Sequence, residues 1–459
     1  MKVYLKINKN LEFYKKLAFI AVPIMLQNGI TNFVSLLDNV MVGQIGTNQM
    51  TGVAIINQLL FVFQICILGA ISGPGIFGAQ FYGNNDHEGL RYTFRIKLWI
   101  CMLLTAMGIV LFGFGSSELI SLYLHDADAE SMILTLQFAE EYGRIMMVSL
   151  PFFSLSQIYS STLREEGQTL IPMAAGIAAV IINLFLDYIL IMGKLGSPAL
   201  GVKGAAIATV ISRMIECAVN MSGTHRNPDK NPFIVGAYSS INVPLVLVKK
   251  ITIKGMPLVL NEALWAIGMA LINQCYALHG LAAVAALNIS NTITNVFTVV
   301  YLALGSSVSI IIGNLLGAGK LNEAREKDRK LFLFSVNICI GIAILQICFA
   351  KIFPELYNTE NEVKALAEKF IIIAAAVIPL QAFTNTAYET LRSGGQTIVT
   401  FLFDSGLACC VVLPFAFWLS KYTELSIVTV YLLVQFTEII KCMIGYIMVK
   451  KGGWIKKIV

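Results

Sequence analysis

Four carboxylates stand deepest inside the long apolar stretches of this sequence: Asp38, Asp187, Glu262 and Asp404. An ionised acid in the hydrocarbon core of a bilayer costs between about 2.5 and more than 10 kcal/mol, so each needs a reason to be there. Asn183 and Asp187 are four residues apart, which on a helix sets a carbonyl oxygen and a carboxylate on one face. Counting at about 1.5 Å per residue from the ends of the apolar runs, Asp38 lies about 36 Å along the first run and Asp187 about 28 Å along the fifth. Thr209 enters from the opposite side, about 14 Å down the sixth. The heights agree, so Asp38, Asn183, Asp187 and Thr209 are expected to form an oxygen-rich pocket suited to a proton or a hard cation. A single buried aspartate also has a plainer use, accepting hydrogen bonds from helix hydroxyls and fixing packing.

The elements that position these residues must cross a membrane. Of 459 residues, 57% are hydrophobic and 13% charged, with mean hydropathy +0.74; soluble domains run about 45–50% apolar and about 25% charged. A water-soluble enzyme is excluded. A crossing helix needs roughly 20 apolar residues, and runs of that kind fall at 14–42, 50–82, 93–123, 131–162, 168–193, 200–223, 247–278, 283–315, 329–353, 363–391, 397–420 and 424–449. Twelve crossings put both ends on one side. The side that carries the connections GNNDHEGLRYTFRIK, LREEGQT, THRNPDKNPF with Lys249 and Lys250, GAGKLNEAREKDRK and LRSGGQT, and both termini, is assigned 26 of the 33 basic residues (33 − 7). The other side keeps Arg144, Lys194, Lys203, Lys351, Lys364, Lys369 and Lys421. By the positive-inside rule both termini are cytoplasmic. The basic lead MKVYLKINKNLEFYKKLAF has no A-x-A-like cleavage site and is expected to be retained. A net charge of +6 spread over such loops does not imply a nucleic-acid partner.

The sequence repeats itself. SLPFFSLSQIYSSTLREEGQTLIP at 149–172 recurs as VIPLQAFTNTAYETLRSGGQTIVT at 377–400, pairing Pro151 with Pro379, Arg164 with Arg392 (392 − 164 = 228) and Gln168 with Gln396. Near the start of each half, Pro23 pairs with Pro257 (257 − 23 = 234), Gly46 with Gly280, Gly83 with Gly317 and Arg91 with Arg325. Six spans per half give both halves the same orientation, related by an axis along the membrane normal. The expected architecture is an all-α membrane protein of twelve transmembrane helices in two pseudo-symmetric six-helix bundles: lobes at 1–223 and 246–459, joined by a cytoplasmic linker at 224–245. The repeat also supplies an internal control, because the mates of Asp38 and Asp187 are Ile272 (38 + 234) and Phe415 (187 + 228). A fold that required those acids would require them twice.

Other residue types carry less. Nine cysteines form no CxxC pair, and His87, His125, His225 and His279 fall in predicted turns without clustering, which argues against disulfides, a metal centre and a cofactor. Arg164 and Arg392 sit in matching turns and are read as anchors of helix ends. Asp404 has no motif behind it and is read as structural. The 17 Met and 27 Phe are mostly packing or lipid-facing residues, some of them available to line a cavity that repacks around cations.

Pro23 followed by LLDNVMVGQIG, then LREEGQT, NLFLDYILIMG and LGVKGAAIATVIS, resembles the multidrug and toxic compound extrusion (MATE) family of secondary transporters over nearly the whole chain. The resemblance implies a two-lobed antiporter that expels small organic, often cationic compounds against an inward flow of H⁺ or Na⁺. It also implies that Asp38, Asn183, Asp187 and Thr209 hold the coupling ion and that the first helix bends at Pro23. The branch of the family with a carboxyl-lobe cation site has acids on the seventh and tenth helices. Here Glu262 stands about one turn early and the tenth-helix position is Gln381, so these two are expected to face a substrate cavity instead. The chain is thus read as a non-enzymatic carrier of the plasma membrane, working as a monomer. The rival within this architecture is a flippase for a lipid-linked precursor, which would need a strongly basic cavity. A membrane-embedded enzyme would need clustered His, Asp or Cys at the membrane surface, and a channel would lack saturable counterflow.

Overall fold

The computed structural model describes the backbone of residues 2–43, 47–121 and 129–459, and the side chains of 12–34, 41, 49–113, 120 and 132–459. The Asp38 side chain, together with Gly46 and His125, lies outside that description. Among the described residues the chain is helical throughout. The first three spans are α1 (Lys2–Gly43), α2 (Thr47–Gly83) and α3 (His87–Ser121); the fourth is split into α4 (Ala129–Met146) and α5 (Ser149–Glu165). Then come α6 (Leu170–Met192), α7 (Val202–His225), α8 (Leu245–Ala277), α9 (Leu281–Gly317), α10 (Leu321–Phe349) and α11 (Asn361–Ser393). The eleventh span runs from α12 (Thr397–Phe401) through two π-helical segments, Leu402–Gly406 and Ala408–Val412, into α13 (Leu413–Tyr422), and the twelfth joins α14 (Ile427–Gln435) to α15 (Glu438–Lys451). Twelve crossings result, and among the described residues nine helical stretches are long and apolar enough to span a membrane by length and composition alone. Bare apolar side chains such as Leu103, Met107 and Val110 on α3, each more than half exposed, form the face that meets lipid.

The breaks have local causes. Pro151 cannot donate to the carbonyl of Met147, and its ring would strike that carbonyl, so the fourth span opens at Met147–Val148. Pro414 meets the same obstacle at Cys410, and the wider π turn of Ala408–Val412 relieves it. At the twelfth span, Thr437 Oγ1 donates to the Val434 carbonyl 2.6 Å away, the kind of back-bonding that bends a helix.

Two compact units form, crossing the order of the chain. The amino-terminal unit holds Leu26–Gly78 and His87–Val248; the carboxyl-terminal unit holds Met1–Met25, Ala79–Asp86 and Lys249–Val459. In the amino-terminal unit an aromatic knot of Phe94, Tyr159, Phe233 and Tyr238 ties α3 and α5 to the segment after α7. In the carboxyl-terminal unit Tyr431 packs on Tyr276 and Phe370, at ring separations of 5.5 and 4.8 Å. Leu17, Ile20 and Ile24 of α1 join Val308 and Ile312 of α9 in a second core there.

The repeat is visible in how each unit ends. Gln168 Nε2 donates to the carbonyl of Lys230 in the linker, and its mate Gln396 donates to Gly453 in the tail, both at 2.8 Å. Each of these straps carries a fully buried aromatic, Phe233 in one and Trp454 in the other.

Candidate functional site

The amino-terminal unit holds an open cavity of about 370 Å³ with both polar and apolar walls. Asn183 and Asp187 of α6 and Thr209 of α7 all line it. Their helices meet closely because Gly204 sits at the crossing: a Cβ there would lie 2.6 Å from the Leu190 carbonyl oxygen. Asp187 is 2% exposed and Asn183 8%, so both line the cavity from buried positions. The Asn183 amide nitrogen has no hydrogen-bond partner among the described residues. Thr209 donates its hydroxyl proton to the Ala205 carbonyl at 3.0 Å, which leaves its oxygen lone pairs to accept or to coordinate. A carboxylate, an amide and a hydroxyl oxygen of this kind suit a proton or a hard monovalent cation. No group of three or more His, Cys, Asp or Glu forms a transition-metal site among the described residues.

The cavity also has walls that sequence reasoning did not assign. Gln27 and Thr31 enter from α1 and Gln64 from α2. Gln27 fits against Gly176, where a Cβ would sit 2.8 Å from its amide nitrogen, and it accepts a 2.8 Å hydrogen bond from Arg164. Arg164 therefore anchors α5 to the half of α1 beyond its proline. Arg213 and Glu216 form a 2.8 Å ion pair on the cavity wall, with the guanidinium also 5.0 Å from the Phe153 ring centroid. Polar residues near span ends raise no alarm in a sequence, and an Arg and a Glu three apart on one helix face read as an ordinary helix pair.

The other expected residues do not join this trio among the described side chains. Asp38 lies on α1 four residues beyond Val34, which lines the cavity, and its own side chain is outside the described residues. Pro23 is inside α1, and the helix passes from one unit to the other between Met25 and Leu26, two residues further on. Glu262 on α8 and Gln381 on α11 are half-buried in the carboxyl-terminal unit and do not line the cavity. Asp404 is ion-paired with Lys441 at 3.7 Å. Lys441 and Arg213, both counted with the loop charges above, are inside spans.

The family model MatE matches residues 23–189 and 257–418, one match in each half. The probable multidrug resistance protein YoeA of Bacillus subtilis is 25% identical, covering 91% of this chain and 89% of its own length. The probable multidrug resistance protein NorM of Thermotoga maritima is 22% identical over 100% of this chain and 97% of its own. Among solved structures, a multidrug resistance transporter of the same family in an outward-facing conformation superimposes with TM-score 0.82 over 96% of this chain and 95% of that one, at 17% identity, and speaks for the fold alone.

Proposed function

The chain belongs to the MATE family of multi-pass membrane transporters, which are not enzymes, and from that premise we propose that it is a cation-coupled secondary antiporter exporting small organic, often cationic compounds by alternating access. The observation that carries this reading is the meeting of Asn183, Asp187 and Thr209 in the wall of one cavity. A coupling ion, H⁺ or Na⁺, exchanges there as cargo. With Asp38 as a fourth ligand the site holds two acids, and Gln27 and Thr31 set the same cavity against the stretch of α1 just past Pro23. Occupancy by the ion and the bend of the first helix can therefore be coupled through one wall. A membrane potential supplies about 2.3 kcal/mol per charge per 100 mV, roughly a 50-fold concentration ratio at 1.4 kcal/mol per decade. One coupled ion suffices for useful efflux.

The flippase alternative needs a basic cavity able to hold a pyrophosphate. Arg213 is the one basic side chain lining this cavity among the described residues, and Glu216 neutralises it. The plasma membrane, cytoplasmic termini and a monomeric carrier complete the proposal.

The experiment is efflux of a fluorescent organic cation from proteoliposomes with Na⁺ and pH gradients imposed independently. One gradient should drive efflux by the wild type, and Asp187→Asn and Asp38→Asn should each abolish that drive. Undiminished gradient-driven efflux in both variants would reject the assignment.

A further inference from the structure

Two half-buried carboxylates of the carboxyl-terminal unit, Asp404 and Glu438, share one cation of their own. Asp404 stands in the π-helical segment Leu402–Gly406, and its Oδ2 accepts a 3.0 Å hydrogen bond from Asn261 Nδ2 on α8. Glu438 opens α15, and its Oε2 accepts from Thr384 Oγ1 on α11 at 3.2 Å. The remaining oxygen of each carboxylate faces Lys441 Nζ, at 3.7 Å from Asp404 and 3.3 Å from Glu438. All three side chains are mostly enclosed, with 15% of Lys441, 27% of Asp404 and 16% of Glu438 exposed. Asn261 is itself fixed, because Ser405 Oγ donates to its Oδ1 at 2.8 Å.

The division of labour is regular: each acid gives one oxygen to a neutral donor and the other to the same ammonium. Backbone irregularities present both acids. The π segment carries Asp404, and the restart of the helix at Glu438 puts that carboxylate at an N-terminus, where the helix dipole favours it. Nearby, Arg392 pairs with Glu389 at 3.1 Å, and Glu262 lies within electrostatic range of Arg392, Asp404 and Glu389. Without Lys441 the Asp404 and Glu438 carboxylates would hold two oxygens aimed at an empty point. Such a point is a site for a monovalent cation.

We propose that Lys441 is the resident cation of the carboxyl-terminal unit, its ammonium filling the place between Asp404 and Glu438 that an exchangeable ion would take, and that it thereby confines ion exchange to the amino-terminal unit. The second clause rests on the antiporter reading; the first does not.

Binding of radioactive Na⁺ to the purified full-length protein tests it, with every variant built on Asp187→Asn so that the amino-terminal site is silent. Adding Lys441→Gln should create one further saturable equivalent of Na⁺ per chain, and adding Asp404→Asn to that protein should remove it. Lys441→Arg, which keeps a tethered cation, should create none. Unfolding temperatures give a second readout: the Lys441→Gln protein should be raised several degrees by NaCl relative to N-methylglucamine chloride, by mass action on the new site. A Lys441→Gln protein that gains no Na⁺ binding, that keeps its gain after Asp404→Asn, or that unfolds equally in both salts overturns the assignment. Failure of the antiporter reading would register separately, as gradient-driven efflux that survives Asp187→Asn.

Discussion

Gly83 and Gly317 occupy one reciprocal crossing: a Cβ added at Gly83 would overlap the carbonyl of Asn314, and a Cβ added at Gly317 would overlap the carbonyl of Gln80. Each glycine stands three residues after the carbonyl that its mate approaches, and Gln80 and Asn314 are themselves repeat mates (314 − 80 = 234). The ends of α2 and α9 therefore meet as two copies of one surface, the self-complementary arrangement that a two-fold axis produces. Backbone lies against backbone, so no rotamer change can make room. Gly83→Ala and Gly317→Ala should each destabilise the protein by about 1–3 kcal/mol, whereas Gly341→Ala, with nothing within 4 Å of its added Cβ, should be neutral or gain slightly. Thermal unfolding in detergent measures this. Equal stability of Gly317→Ala and Gly341→Ala would refute the crossing.

The crossing shows what a sequence conveys and what it withholds. An offset pairs Gly83 with Gly317 but does not say that they touch, because a repeat states equivalence and not distance. Asn183 and Asp187 were legible because polar groups inside an apolar run are conspicuous, and Thr209 because depth along helices of fixed rise can be counted. Arg213, Glu216 and Lys441 were not: a base within a few residues of a span end is credited to the nearest loop, and an acid three residues away is an ordinary helix pair. The π segment at Asp404 has no sequence signal except Pro414 ten residues later.

A second prediction concerns Lys97, which has no exposed surface and pairs with Glu165 at 2.5 Å. Gly78 leaves the space for that carboxylate, since a Cβ there would overlap it. Removing Lys97 takes away the ammonium that this buried carboxylate pairs with, so Lys97→Met should cost about 3–5 kcal/mol, while Lys97→Met with Glu165→Gln should recover most of the loss. Unfolding of the single and double variants in detergent decides it, and a double variant no better than Lys97→Met would show that packing, not charge, is at stake.

Glu166, in the turn after α5, makes stability depend on pH. Burial first, and the neighbouring Glu165 charge second, push its carboxyl from 4.5 up to about 8, against the opposing pull of Lys97. The native state then holds a proton that the unfolded chain has released between those two values. Stability contributed by Glu166 is fully present below 4.5 and falls as pH rises towards 8. Glu166→Gln should flatten that slope, giving a protein whose unfolding temperature at pH 8 exceeds that of the wild type. Parallel profiles for the two proteins would rule this out.

The linker is held by one guanidinium. Arg95 donates to the carbonyls of Ala237 at 2.9 Å, Asn242 at 3.0 Å and Gly236 at 2.8 Å, and Arg91 adds a bond to Phe233 at 3.3 Å. Three charge-assisted bonds from one planar fork fix the strap in register against α3, and Phe233 and Tyr238 then pack on Phe94. A single such bond is worth about 1.5–3 kcal/mol, so Arg95→Ala should raise amide exchange in residues 232–242 by roughly tenfold or more. Arg95→Lys should restore little of the protection, because an ammonium cannot span three carbonyls with the geometry of the guanidinium. Hydrogen exchange read by mass spectrometry on linker peptides measures both. Unchanged protection in Arg95→Ala, or full rescue by lysine, would mean that the aromatic knot alone holds the strap.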